Sequence, residues 1–142
     1  MAQAYKDTLD SIFTDLRSKS ELTRQHAATK LGEQVAAAFR ELPTADFNRY
    51  YDEVYRRIQQ LIINGIDTHE RTGGLYALNA LIDFKGDDAA IKVTRFSNLL
   101  KRTLEGTDTI AMIVAAKCLG RLAAPGGALT AELVDAEFKN AL

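Results

Sequence analysis

The sequence predicts an all-α fold of stacked antiparallel helix pairs, and three observations carry that prediction. Two near-identical strings, AATKLG at 27–32 and AAKCLG at 115–120, recur in one chain. Apolar residues recur at three- and four-residue steps along its long segments, the spacing of one helix face. Only two prolines, Pro43 and Pro125, punctuate 142 residues, and few segments alternate as a strand does.

The repeat emerges when helix caps are aligned. Ser20, Asp67 and Asp108 each precede a helical pattern and lie 47 and 41 residues apart. Each offers a side-chain oxygen to an orphan backbone N–H. Glu70, three residues after Asp67, adds the look of a capping box. Leu31, Leu78 and Leu119 each stand eleven residues after a cap. Leu16, Ile63 and Leu104 each stand four before one. A period of about 40–47 residues carrying two helices is that of HEAT or armadillo-like solenoids. The predicted units are 1–42, 43–85 and 86–126, with the start of a fourth at 127–142.

In chain order, a first A helix is predicted over 3–17. Its B partner runs over 21–41, where Ala27, Ala28, Leu31, Val35, Ala38 and Leu42 form the apolar face. The second A helix, 45–64, carries Phe47, Tyr50, Tyr51, Val54, Ile58, Leu61 and Ile62 on one face. Its partner, 68–84, contains Gly73-Gly74, which suits close packing or a slight bend. The third pair is 87–105 and 109–124, with Val93, Phe96, Leu100 and Leu104 striping the A helix. A last helix starts near 129 and bears Leu129, Leu133, Val134 and Phe138 with no second helix to cover them. Such a face expects either further chain or another subunit. Short turns make neighbours antiparallel.

Chemistry is sparse. Formal net charge is −1, so no global field draws nucleic acid or an anionic membrane. Charges interrupt every apolar stretch well short of the roughly 20 residues of a membrane span. The start, MAQAYKDTLD, is polar and acidic, unlike a secretory or transit signal, and one cysteine makes no intramolecular disulfide. An intracellular protein is expected. His26 and His69 lie in different units without a second ligand at metal spacing. Cys118 reads as a small buried apolar residue. Asp83, Asp87 and Asp88 lack the alternating ligands of a calcium loop; Gly86 ends one helix and Asp87 caps the next. The Pro125-Gly126-Gly127 turn lacks the lysine of a phosphate loop.

RYYDEVYRR at 49–57 mixes basic and aromatic residues, but its tyrosines fall on the apolar stripe, which favours core over nucleic-acid stacking. Arg49 and Arg56 share a face near Asp52 and Glu53. Arg95 and Arg102 repeat that heptad spacing on the third A helix. These four arginines, with Leu133 and Phe138 of the last helix, are the candidate partner contacts. A solenoid of this kind works by holding partners. An enzyme needs converging titratable groups or a cofactor motif, and none is found.

The strings themselves carry a resemblance. ERTGGLYALNALIDFKGDDAAIKVTRFSNLLKRTL at 70–104 and AAKCLGRLAAPGGALTAELVDAEFKNAL at 115–142 resemble the N-terminal HEAT region of the target of rapamycin (TOR) kinases. FTDLRSKS at 13–20 and NRYYDEVYRRI at 48–58 look like the same family. The resemblance covers nearly the whole chain; Lys85 and Cys118 are among the departures. It implies an N-terminal piece of a giant serine/threonine kinase of the phosphatidylinositol-3-kinase-related class, acting in nutrient and growth signalling. Kinase signatures are missing from this sequence. The implied role is therefore a non-catalytic scaffold that docks accessory subunits of a TOR complex and supports a dimeric assembly. By the same implication, ATP and Mg²⁺ belong to the parent kinase domain. The location implied is cytoplasmic, peripheral to endomembranes through complex partners. The alternative is a free-standing helical-repeat adaptor with no kinase attached.

Overall fold

A computed structural model of the chain describes residues 3–123. The start of the fourth predicted unit, with Leu133 and Phe138, lies outside them. Six helices follow one another: α1 (Gln3–Leu16), α2 (Glu21–Glu41), α3 (Thr44–Asn64), α4 (Thr68–Ile82), α5 (Ala89–Leu104) and α6 (Thr109–Ala123). The described residues contain no strand.

The three aligned caps act as caps. Ser20 Oγ accepts from the Thr23 N–H at 3.3 Å, Asp67 Oδ1 from Glu70 at 2.9 Å, and Asp108 Oδ1 from Ala111 at 3.0 Å. Each bond satisfies a donor that an α-helix leaves orphaned in its first turn. Pro43 precedes α3 and Gly65 ends it, in keeping with residues that start and stop helices.

Two boundaries differ from the sequence reading by two residues, and the others agree to within one. The second B helix ends at Ile82, not 84, where the chain tightens and the Phe84 N–H donates to Leu81 O at 3.2 Å. The next helix starts at Ala89, not 87, because Asp88 is its N-cap, accepting from Ile91 N–H at 3.1 Å. Asp87 is not the cap. It is held by Lys92, at 2.9 Å, and by the Tyr51 hydroxyl, at 2.5 Å.

The helices form two layers. In one, α2 packs on α4 and α4 on α6; in the other, α3 packs on α5. Each pair closes across the layers, α1 on α2, α3 on α4 and α5 on α6. The core between them buries Leu9, Phe13, Leu31, Tyr50, Ile58, Leu78, Leu100 and Leu119. Fully burying such a side chain stabilises by about 1.5–3 kcal/mol.

Gly73 and Gly74 are close-packing residues. A Cβ on Gly73 would lie 1.8 Å from Leu16 O, and one on Gly74 would lie 2.9 Å from both Leu61 Cβ and Ile62 Cγ1. Unit two therefore seats directly on the backbone that ends α1.

Arginine side chains lace the units. Arg24 and Arg71 each stand four residues after a cap. Arg24 Nη1 donates to Ser18 O at 2.8 Å, and Arg71 Nη1 to Gly65 O at 2.9 Å. Each also reaches the next unit: Arg24 approaches His69 Nδ1 at 3.4 Å, and Arg71 Nε donates to Asp108 Oδ2 at 2.7 Å. In the third unit the equivalent residue is Met112.

Candidate partner-docking surface

The four candidate arginines project from the A layer, and their own neighbours already hold three of them. Arg49 bonds to Asp46 rather than to Asp52. Arg56 grips Glu53, with Nε 2.9 Å from Oε2. Arg57 joins from the next position, with Nε 3.0 Å from Glu53 and Nη1 2.7 Å from Asp10 on α1. The Arg56 hydrogen bonds hold the Glu53 carboxyl at about 2; burial opposes them and Arg57 adds to them. Arg95 lies over the Tyr55 ring at 5.2 Å and 3.7 Å from Asp52, so it stitches α5 to α3. Such exposed pairs are worth about 0–1 kcal/mol each, but they do occupy the charge.

Arg102 differs. It sits exposed in the last turn of α5 and forms no ion pair with any described residue. It lines a cleft of ≈330 Å³ between the ends of α3 and α5 and the start of α6. Arg71, Asp108 and Thr107 supply the polar wall, and Ile62, Ile63 and Ala111 the apolar one. Burial alone would raise the Asp108 carboxyl. The Ala111 N–H, the Arg71 guanidinium and the Thr68 hydroxyl outweigh it and hold the group below the usual carboxylate range.

A second cleft of ≈340 Å³ runs between α3 and α5, walled by Tyr51, Tyr55, Phe96, Asp87, Lys92 and Arg95. Its charges compensate one another. Lys92 is only 8% exposed. Its Nζ donates to Leu81 O at 3.1 Å, to Ile82 O at 3.3 Å and to Phe84 O, besides pairing with Asp87. The ammonium thus serves the carbonyls that end α4, where a positive charge is favoured. Burial first, and the bond to Asp87 second, push the Tyr51 phenol well above its ordinary value.

Tyr50 is fully buried and Tyr51 half-buried, as the apolar stripe requires. His26 is exposed, and His69 is half-buried beside Arg24. Cys118 is buried, its thiol pushed up to about 11 by that burial despite nearby Arg121, so it is a poor nucleophile. Among the described residues, no three His, Cys, Asp or Glu are grouped to hold a metal ion. No described helix is long and apolar enough to cross a membrane.

Sequence reasoning missed Arg24, Arg71 and Lys92. For the first two a signal existed: both stand four residues after their caps, within reach of the carbonyls of the preceding turn. For Lys92 there was none, because its partners belong to another helix end.

No protein-family profile matches the chain, and no solved structure does. Curated relatives do. The chain is 40% identical over 129 residues to "Serine/threonine-protein kinase tor1" of Schizosaccharomyces pombe, a match covering 91% of this chain and 6% of that protein. It is 31% identical over 137 residues to "Serine/threonine-protein kinase TOR2" of Saccharomyces cerevisiae, covering 95% and 6%. It is 31% identical over 136 residues to "Serine/threonine-protein kinase TOR" of Arabidopsis thaliana, covering 95% and 5%. The chain therefore spans only about a twentieth of the length of these relatives. A match across fungi and a plant, over nearly all of the chain, places it in the TOR serine/threonine-protein kinase family, as a short segment whose described residues are helical.

Proposed function

We propose that this segment is part of the HEAT-type solenoid arm of a TOR kinase, from its N-terminal region, and that it docks accessory subunits without catalysis of its own. The observation that carries the reading is the lacing of units by Arg24 and Arg71, which joins successive turns through directional bonds. Side-by-side units joined in this way make an extended surface suited to holding partners. Arg102, beside a cleft, is the one of the four candidate arginines that no described residue pairs. In this reading ATP and Mg²⁺ bind the kinase domain elsewhere in the parent, which assembles as a dimer in the cytoplasm and reaches endomembranes through its partners. The role is in nutrient and growth signalling.

Two measurements test the proposal. Titration of the folded 142-residue chain with a fluorescent ATP analogue and Mg²⁺ is expected to show no saturable binding; saturation would overturn the non-catalytic reading. An antibody raised against the chain is expected to detect a native polypeptide of several hundred kilodaltons. A native product near 15.7 kDa would instead support a free-standing adaptor.

A further inference from the structure

We infer that the cleft beside Arg102 is a notch for a single carboxylate side chain presented by an acidic, partly apolar segment of a partner protein. This deepens the scaffold reading and rests on it.

The argument starts from charge. Two guanidiniums, Arg71 and Arg102, line the notch against one carboxylate, Asp108. Arg71 and Asp108 satisfy each other at 2.7 Å. Arg71 is further committed to Gly65 O. What remains is the Arg102 guanidinium, which pairs with no described residue, Glu105 three positions on included. One surplus positive charge in a recess matches one negative charge. A phosphate dianion fits less well, because its second charge would face Asp108.

The surroundings say what carries the carboxylate. Ile66 is 84% exposed and Ile110 60% exposed. Ile66 follows Gly65, which Arg71 anchors, and Ile110 precedes Ala111 of the notch wall. Within the notch itself Ile62, Ile63 and Ala111 form an apolar wall beside the charge, which suits a peptide that places an apolar side chain next to an acidic one. It does not suit a free anion or a nucleic acid, whose backbone repeats its charge at every step.

The test uses the whole 142-residue chain and a fluorescein-labelled peptide of alternating Glu and Leu, with a Gln/Leu peptide as the neutral probe. The Glu/Leu peptide is expected to bind and to weaken as salt rises. Arg102→Gln is expected to weaken it about fivefold, within the range of exposed charge pairs. Arg49→Gln, whose arginine is already paired with Asp46, is expected to leave it unchanged. Helix content and melting should not move in either variant, since both side chains are exposed. Equal binding by wild type and Arg102→Gln, or equal weakening by both variants, would overturn the notch. So would displacement of the peptide by inorganic phosphate at concentrations where free glutamate has no effect. If the notch fails while the chain still retains a purified accessory subunit of the parent complex, the scaffold reading stands alone. If neither binds, both fall.

Discussion

Arg71 and Asp108 meet at 2.7 Å across a unit boundary, so one carboxylate both caps α6 and anchors α4. Removing either partner leaves the other short of its contact in a half-buried site. Arg71→Ala is expected to cost about 2 kcal/mol, since it also strips the Gly65 carbonyl of its donor. Asp108→Ala is expected to cost about 1–2 kcal/mol as a lost N-cap. The double variant should cost less than the two combined, by about 1 kcal/mol, in urea unfolding.

Gly73 and Gly120 make an opposed pair of substitutions. Gly73→Ala drives a methyl into the Leu16 carbonyl and should destabilise by about 3 kcal/mol, because backbone must shift. A Cβ on Gly120 meets nothing within 4 Å. Gly120→Ala should therefore stabilise α6 by about 1 kcal/mol through helix propensity alone. Paired thermal melts check both directions.

Lys92→Met removes a buried ammonium and keeps most of the volume. It leaves the carbonyls of Leu81, Ile82 and Phe84 without that donor and Asp87 without its cation. A loss of about 3–5 kcal/mol is expected, the range for breaking one side of a buried pair. Lys92→Met/Asp87→Leu, which removes both charges, should recover part of it.

Acid should unfold the chain from a defined side. The Glu53 carboxyl at about 2, and Asp108 below its ordinary range, both titrate lower folded than unfolded. As pH falls the unfolded chain takes up these protons first, so the linked stability is complete above about pH 5 and is lost progressively below about pH 4. Melting temperature followed from pH 7 to 2 tests this. Glu53→Gln should flatten the acid limb, and a carboxyl chemical-shift titration should find Glu53 still ionised at pH 3.

Most of the architecture was legible in sequence because it rests on local rules. Ser20, Asp67 and Asp108 announce helix starts through their own side chains, and the stripe from Phe47 to Ile62 reports its buried face through spacing alone. The errors arise where distant residues intervene. Asp87 and Asp88 are equivalent as local caps, and only Lys92 together with Tyr51, 36 positions upstream, takes Asp87 out of that role. The candidate arginines show the same division. Periodicity puts Arg49, Arg56, Arg95 and Arg102 on exposed faces. Which of them is already satisfied depends on rotamers and on neighbours such as Tyr55, which no spacing encodes.

The methionine at position 112 has a mechanical consequence. In the first two units a guanidinium bridges the turn and ties the paired helices at Ser18 O and Gly65 O, so a pull that spreads them works against short, directional bonds. In the third unit the same place holds a thioether, which resists spreading only through soft, non-directional contact. Among the described pairs, α5 and α6 are therefore expected to separate at the lowest force, through the stretch from Gly106 to Asp108, which single-molecule pulling would read.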